Sequence, residues 1–265
     1  MTVRAISYGG GVQSTAMLVL ASQGKIDYKL ALFANVGNDS ENPATIEYFH
    51  AYAMPYAVEH GIELIELDRT GRGKPKTLWQ RLMDEDSASI GIPVRMNNSG
   101  APGRRACTVD FKIRRIASYL KKLGATEENP ATVALGISLD EYQRMRSDSG
   151  VPWEKLDYPL INLRIDRADC MNIIRDAGLP VPPKSSCFFC PYHTRKEWMR
   201  LKKEEPELFE KSVILEKTLN ERRERLGKDP VWLTDALRPL DEFIGNYDQL
   251  DIFPASCDIG GYCMS

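Results

Sequence analysis

The chain has 265 residues, enough to bury a full core as one large domain or as a domain with an appended lobe. Its 43% apolar and 27% charged content is ordinary for a globular protein, and a net charge of −2 gives no global pull toward nucleic acid. No apolar run approaches the roughly 20 residues of a membrane span, so no membrane partner is expected.

The first element predicted is a strand over 3–8, where β-branched residues alternate with others. It runs into Ser7-Tyr8-Gly9-Gly10-Gly11-Val12-Gln13-Ser14 and then into an apolar, helix-compatible stretch over 13–23. A strand, a glycine turn and a helix N-terminus together make an anion site, because glycine permits positive φ and the helix dipole favours negative charge. Such turns also join strands to helices without any ligand. This one has neither the Gly-Lys-Ser/Thr of a Walker loop nor Gly-x-Gly-x-x-Gly spacing. The opening Met-Thr-Val-Arg-Ala-Ile-Ser enters the first strand with no signal peptide ahead of it, so a cytoplasmic address with reduced thiols is expected.

Further strands are predicted over 28–36, 62–67, 132–137 and 158–163, and helices over 43–59, 77–84 and 108–123. Several helices end at glycine, as at Gly24, Gly61 and Gly124. This alternation predicts an α/β fold with a mostly parallel, doubly wound, Rossmann-like sheet, whose site lies beyond the carboxyl ends of the strands. The Gly9 loop and the turns after Val36 and Ile137 should converge there. Segments 70–76 and 87–105, rich in Gly, Pro, Asn and Ser, read as loops. A helix over 166–177, a proline-rich linker and one charged amphipathic helix over 201–225 then follow. Residues 1–165 are therefore expected to form a nucleotide-binding domain and residues 166–265 a helical C-terminal lobe.

The six cysteines, in a reducing compartment, read as metal or redox groups rather than disulfides. Cys187-Phe188-Phe189-Cys190 offers two thiolates from one turn, and Cys107 precedes a helix about 80 residues earlier. Three sulfurs suffice to hold an iron–sulfur cluster with one metal position open. A structural zinc site completed by His193 is the alternative. Cys257 and Cys263 offer a fourth ligand or a reactive thiolate, and Cys170 reads as packed. His50 and His60 read as packing or surface residues. Arg104, Arg105, Lys112 and Arg144 are candidate phosphate partners, since guanidinium forks match phosphate oxygens. Asp140 and Glu141 suit magnesium, a ribose or a helix N-terminus.

Four segments carry a resemblance to a known superfamily. Gly9-Gly10-Gly11-Val12-Gln13-Ser14 is similar to the Ser-Gly-Gly-x-Asp-Ser pyrophosphate loop, with Gly9 and Gln13 replacing Ser and Asp. The turn Phe33 through Thr45, with Asp39 and Pro43-Ala44-Thr45, resembles the family's acid-bearing second-strand turn. Cys107-Thr108-Val109-Asp110-Phe111-Lys112 resembles its Cys-x-x-x-x-Lys element. Gly136-Ile137-Ser138-Leu139-Asp140-Glu141 resembles Gly-Ile-Arg-x-Asp-Glu, with Ser138 in place of arginine. The chain thus resembles the adenine nucleotide α-hydrolase-like (PP-loop) superfamily, in the phosphoadenosine phosphosulfate reductase and FAD synthetase branch with its iron–sulfur sulfurtransferases of DNA and tRNA.

The resemblance implies a site for ATP or a related adenosine nucleotide formed by Ser7, Gly9, Gly10, Gly11, Val12, Gln13, Ser14, Asp39, Gly136, Arg105, Lys112 and Arg144. Magnesium would be a further cofactor, although Gln13 carries no charge to anchor it. It also implies a four-iron four-sulfur cluster on Cys107, Cys187, Cys190 and Cys263, with zinc as the alternative, and Cys257, Cys263 and Asp39 as catalytic groups. The expected activity is ATP-driven sulfur transfer to a nucleobase, nucleotide or nucleic acid. A sulfur donor or thiol reductant would be a partner and a homodimer one expected assembly. Sulfonucleotide reduction is the alternative reaction, and a non-catalytic nucleotide-binding module of a modification or defence assembly, braced by zinc, is the third reading.

Overall fold

The computed structural model describes residues 2–67 and 77–245. Its strands, in chain order, are β1 (Arg4–Tyr8), β2 (Leu30–Ala34), β3 (Glu63–Leu67), β4 (Arg95–Met96), β5 (Ala131–Leu135), β6 (Glu154–Asp157) and β7 (Val231–Trp232). The helices are α1 (Val12–Ser22), α2 (Pro43–Tyr48), α3 (Met54–Glu59), α4 (Leu78–Leu82), α5 (Arg114–Lys122), α6 (Pro159–Asn162), α7 (Arg167–Asp176), α8 (Arg195–Glu204), α9 (Pro206–Arg225) and α10 (Leu240–Gly245). The loop expected over 70–76 lies outside the described residues.

The main sheet has five strands in the order β3-β2-β1-β5-β6, and every pairing in it is parallel. The expected α/β fold is present. Alternation along β1 sends Ile6 and Tyr8 to one face and Ala5 to the other. Ile6 and Tyr8 join a core with Met17 and Leu20 of α1, Phe49, Ala57 of α3, and Cys170 and Ile174 of α7. Ala5 joins Leu32, Val133 and, from α5, Ile116 and Leu120. The sheet is therefore covered on both faces, as parallel sheets require. Helix α1 is buried all round, which explains its nearly unbroken apolar sequence.

Two compact units emerge. One comprises residues up to Ile92 together with Arg104–Phe188, and the other Pro93–Gly103 together with the chain from Phe189 onward. The division expected at 165 falls inside the first unit, because α7 packs its buried Cys170 and Ile174 into the α1 core. The 87–105 stretch, expected as loop, contributes β4, which pairs antiparallel with β7 in the second unit.

Three other expectations need correction or refinement. The strand placed over 158–163 is helix α6, with Pro159 at its start. Proline has no N–H for a sheet ladder but suits a first helical turn. The fifth strand is instead the polar edge segment β6, which its composition concealed. The single helix expected over 201–225 is two, broken at Glu205 (φ −135°, ψ 60°) because the residue before Pro206 is driven out of the α region. The helix expected over 43–59 holds a π-helical turn at Phe49–Ala53, where Pro55 cannot donate to the preceding turn.

In the second unit, α9 holds the 231–240 segment by its backbone. Asn220 accepts from the Val231 amide at 2.8 Å and donates to the Val231 carbonyl at 2.9 Å. One turn earlier, the buried Glu216 carboxylate accepts from the amides of Leu233 (2.7 Å) and Leu240 (2.8 Å). Burial pushes the Glu216 carboxyl up to about 7, against the pull of those amides. The folded protein therefore holds this proton more tightly than the unfolded chain, whose ordinary value is 4.5. The stabilisation is complete below the unfolded value and is lost as pH rises through about 7. Between about pH 5 and pH 8 the melting temperature of the parent should fall more steeply than that of Glu216→Gln. Parallel slopes in thermal melts would show that Glu216 does not couple protonation to folding.

Candidate functional site

Chain order places the site. From β1 the chain winds through β2 and β3 on one side, and β5 and β6 lie on the other, so the sheet has its topological switch point at the ends of β1 and β5. The glycine loop leaves β1 there. Gly10 has φ +74°, and a Cβ on it would stand 2.8 Å from Thr45 Cγ2. A Cβ on Gly11 would stand 2.8 Å from Ser185 Oγ. The consecutive glycines are thus needed for conformation at Gly10 and for room at Gly11. Ser14 Oγ donates to the Gly11 carbonyl at 3.0 Å and accepts from its amide at 3.2 Å, which fixes the loop against the first turn of α1.

A cavity of about 350 Å³ opens over this loop, within the first unit. Ser7, Gly9, Gly11, Val12, Gln13, Ser14, Gly136 and Arg144 line it, as the sequence led us to expect. Gly10, also expected, does not line it. The remaining lining comes from Glu141, Arg167, Pro183, Lys184 and Ser185. Arg167 Nη1 donates to Gln13 Oε1 at 3.0 Å, and Gln13 Nε2 donates to Glu141 Oε2 at 3.3 Å and to Ser138 Oγ at 3.5 Å. Arg144 pairs with Glu141 Oε2 at 2.8 Å, while Asp140 accepts from the Arg167 amide at 3.0 Å. Asp140 therefore belongs to the start of α7. The cavity carries Arg144, Arg167 and Lys184 against the single carboxylate Glu141.

Arg167, Lys184 and Ser185 were not singled out in the sequence. The available signals were modest: a basic residue right after the helix cap Asp166, and a lysine in Pro182-Pro183-Lys184-Ser185, whose prolines stiffen its approach to the glycine loop.

Three more expected nucleotide contacts also do not line the cavity. Asp39 accepts from Thr77 Oγ1 (2.7 Å) and Ser40 Oγ (2.9 Å), and Thr77 caps α4, so this acid ties the second-strand turn to α4. Asn35 braces the same turn, accepting from the Gly37 amide and donating to Asn38 and Glu66. Arg105 is exposed at the start of the π-helical segment that leads to α5. Lys112 Nζ donates to the buried Glu41 at 3.1 Å. Burial opposes its charge, but the carboxylate of Glu41 and the sulfurs of Cys187 and Cys107 outweigh this and hold the Lys112 ammonium above its ordinary range.

Cys107 and Cys187 thus share the field of one lysine in the first unit. Cys190 belongs to the second unit, where its carbonyl accepts from the His193 amide at 3.0 Å and the His193 ring meets Trp198 edge-on. Cys257 and Cys263 lie outside the described residues. Among the described residues, no group of three or more His, Cys, Asp or Glu side chains is gathered to hold a metal ion. Among the described residues, then, no donor set for a four-iron four-sulfur cluster or a zinc ion is gathered. Cys170 is packed, as its setting suggested, and burial pushes its thiol up to about 12. His60 stacks on Tyr56, and His50 lies edge-on to Phe49. Among the described residues no helix is long and apolar enough to cross a membrane.

No protein-family model matches the chain, and no curated protein matches it. Solved structures do. Phosphoadenylyl-sulfate (PAPS) reductase from Candida auris, in a phosphate complex, is 13% identical with a TM-score of 0.44, covering 69% of this chain and 75% of that one. The U34-tRNA thiolase NcsA from Methanococcus maripaludis, with its 4Fe-4S cluster, is 18% identical with a TM-score of 0.42, covering 85% of this chain and 71% of that one. Both likenesses are remote.

Two substitutions test this construction. Gly10→Ala should leave a folded protein but strain the loop by about 1–2 kcal/mol, lowering the melting temperature below that of the parent in thermal melts. Lys112→Met leaves Glu41 buried without its cation. It should destabilise the fold by about 1–3 kcal/mol, less than a fully buried pair because Lys112 is partly exposed. The double variant with Glu41→Gln should recover part of that loss in denaturant unfolding.

Proposed function

We propose that this chain is an adenosine-nucleotide-binding enzyme of sulfur chemistry. The observation that carries the nucleotide half of the reading is the convergence on one cavity of the β1 glycine loop, the first turn of α1 and the cations Arg144, Arg167 and Lys184. Helix amides without intrahelical partners, together with guanidinium and ammonium groups, suit the oxygens of a nucleotide phosphate chain. The assignment to adenosine rests on the four sequence segments that resemble the PP-loop superfamily. The sulfur half rests on Cys107 and Cys187, which stand in the field of Lys112, and on the Cys187-x-x-Cys190 spacing.

In the leading reaction, an acceptor oxygen on a nucleobase, nucleotide or nucleic acid attacks the α-phosphorus of ATP and displaces pyrophosphate, and sulfide-level sulfur from a sulfur donor then attacks the activated carbon and expels AMP together with that oxygen. The chain's own part is defined at the phosphate end. The glycine loop seats the phosphates, Arg144, Arg167 and Lys184 offset their charge, and Glu141 with Gln13 sets the orientation of two of those cations. A second reaction, reductive release of sulfite from a sulfonucleotide, is favoured by one feature: residue 13 is a neutral amide already bound to Arg167 and Glu141.

Incubation with labelled ATP plus acceptor RNA or DNA, and separately with phosphoadenosine phosphosulfate and a thiol reductant, distinguishes the two. Pyrophosphate release indicates adenylation and sulfite release indicates reduction. Tight nucleotide binding with neither product would defeat the enzymatic proposal and leave a binding module. Iron and sulfide quantification on oxygen-free protein tests the cluster separately: a colourless protein holding zinc and no iron would exclude cluster-dependent sulfur transfer.

A further inference from the structure

We infer that this site takes its nucleotide phosphates on the chain's own cations and without a divalent metal ion, with Gln13 as the residue that sets this preference. The inference rests on the nucleotide reading above and deepens it.

Magnesium demands a near-octahedral shell of hard oxygens, and in nucleotide sites it is usually held by one or two carboxylates together with the phosphates. The cavity lining offers one carboxylate, Glu141, and it is already engaged by Arg144 at 2.8 Å and by the Gln13 amide at 3.3 Å. Neighbouring Asp140 is committed to the Arg167 backbone amide at 3.0 Å. The acid of the second-strand turn, Asp39, is held by Thr77 and Ser40 and does not line the cavity.

Gln13 stands on the first turn of α1, directly over the glycine loop. Its carbonyl oxygen, the one atom by which an amide can ligate magnesium, accepts from Arg167 at 3.0 Å. Its NH₂ faces Glu141 and Ser138. An aspartate at this position would set a second negative charge beside Glu141, and a cation would be needed to relieve it. A glutamine is neutral and can donate to the acid while accepting from the arginine. The amide thus makes possible an arrangement in which three protein cations stand where a metal ion would otherwise share the phosphate charge.

The sign of the metal effect follows. Free magnesium competes with Arg144, Arg167 and Lys184 for the same phosphate oxygens. Adding it should leave affinity unchanged or weaken it a few-fold.

The test is calorimetric titration of the full chain with ATP and with adenosine 3′,5′-bisphosphate, in magnesium-free buffer and again with excess magnesium. The expected result is binding without magnesium that does not tighten when the metal is added. Lys184→Met should lose about tenfold or more in both buffers, the size of one charge-assisted contact. Gln13→Asp should bind more weakly than the parent without magnesium and should gain a magnesium-dependent recovery that the parent lacks. Parent binding that tightens tenfold or more with magnesium would overturn the inference while leaving the nucleotide reading intact. A Gln13→Asp protein indistinguishable from the parent in both buffers would overturn the role given to Gln13. No binding of either nucleotide in either buffer would sink the nucleotide reading and this inference with it.

Discussion

The site depends on how closely the end of β5 approaches the first turn of α1. A Cβ at Gly136 would stand 3.2 Å from both the Ser14 amide nitrogen and Gln13 Cβ, and 3.3 Å from Met17 Cε. A side chain at this position would have to push the helix start back by a few tenths of an ångström. That approach seats the first turn of α1 at the ends of β1 and β5, with Gln13 in reach of Ser138 and Glu141 beyond β5. The glycine loop, the cavity and the hydrogen-bond network around Gln13 are all consequences. The buried apolar run 16–21 of α1 anchors the arrangement by filling the space between the sheet and α7.

The fold was legible where local pattern and tertiary burial agree. Strands β1, β2, β3 and β5 lie on both-face-buried, β-branched or apolar runs, and their helices end at glycines that adopt positive φ, as at Gly24, Gly61 and Gly124. Legibility ended at the sheet edge. Strand β6 reads Glu-Lys-Leu-Asp, because an edge strand needs few apolar side chains, and the more apolar segment after it begins with a proline and folds as a helix turn. The division between the units was illegible for another reason. It depends on pairing Arg95 with Trp232, a contact that no local window contains.

Much the same holds for the site. The residues of the glycine loop could be read because they are contiguous and sit between a strand and a helix. Arg167, Lys184 and Ser185 could not, because they come from the cap of a distant helix and from the proline-stiffened stretch beyond it. Asp39 is the opposite case, named in the sequence but engaged elsewhere. Its motif context suggested chemistry, yet its two oxygens hold Thr77 and Ser40, joining the turn after β2 to α4. An acid in a turn is often fully employed in building that turn. Lys112 likewise answers to Glu41 and to two cysteine sulfurs rather than to the cavity over the glycine loop, so the cations of the first unit serve two separate purposes.

The interleaving of the two units bears on how the chain is made. During synthesis the residues of β4 emerge early, but their partner β7 lies far downstream, after most of the first unit has left the ribosome. Pro93–Gly103 must wait without its sheet partner while the chain between Arg104 and Phe188 completes the parallel sheet of the first unit. The first unit is therefore positioned to fold as a discontinuous body with an unfilled excursion, and the second can close only once α9 has supplied Glu216 and Asn220. Vectorial assembly is thus ordered by topology: the unit that holds the glycine loop comes first, and the unit completed by the chain from Phe189 onward comes last.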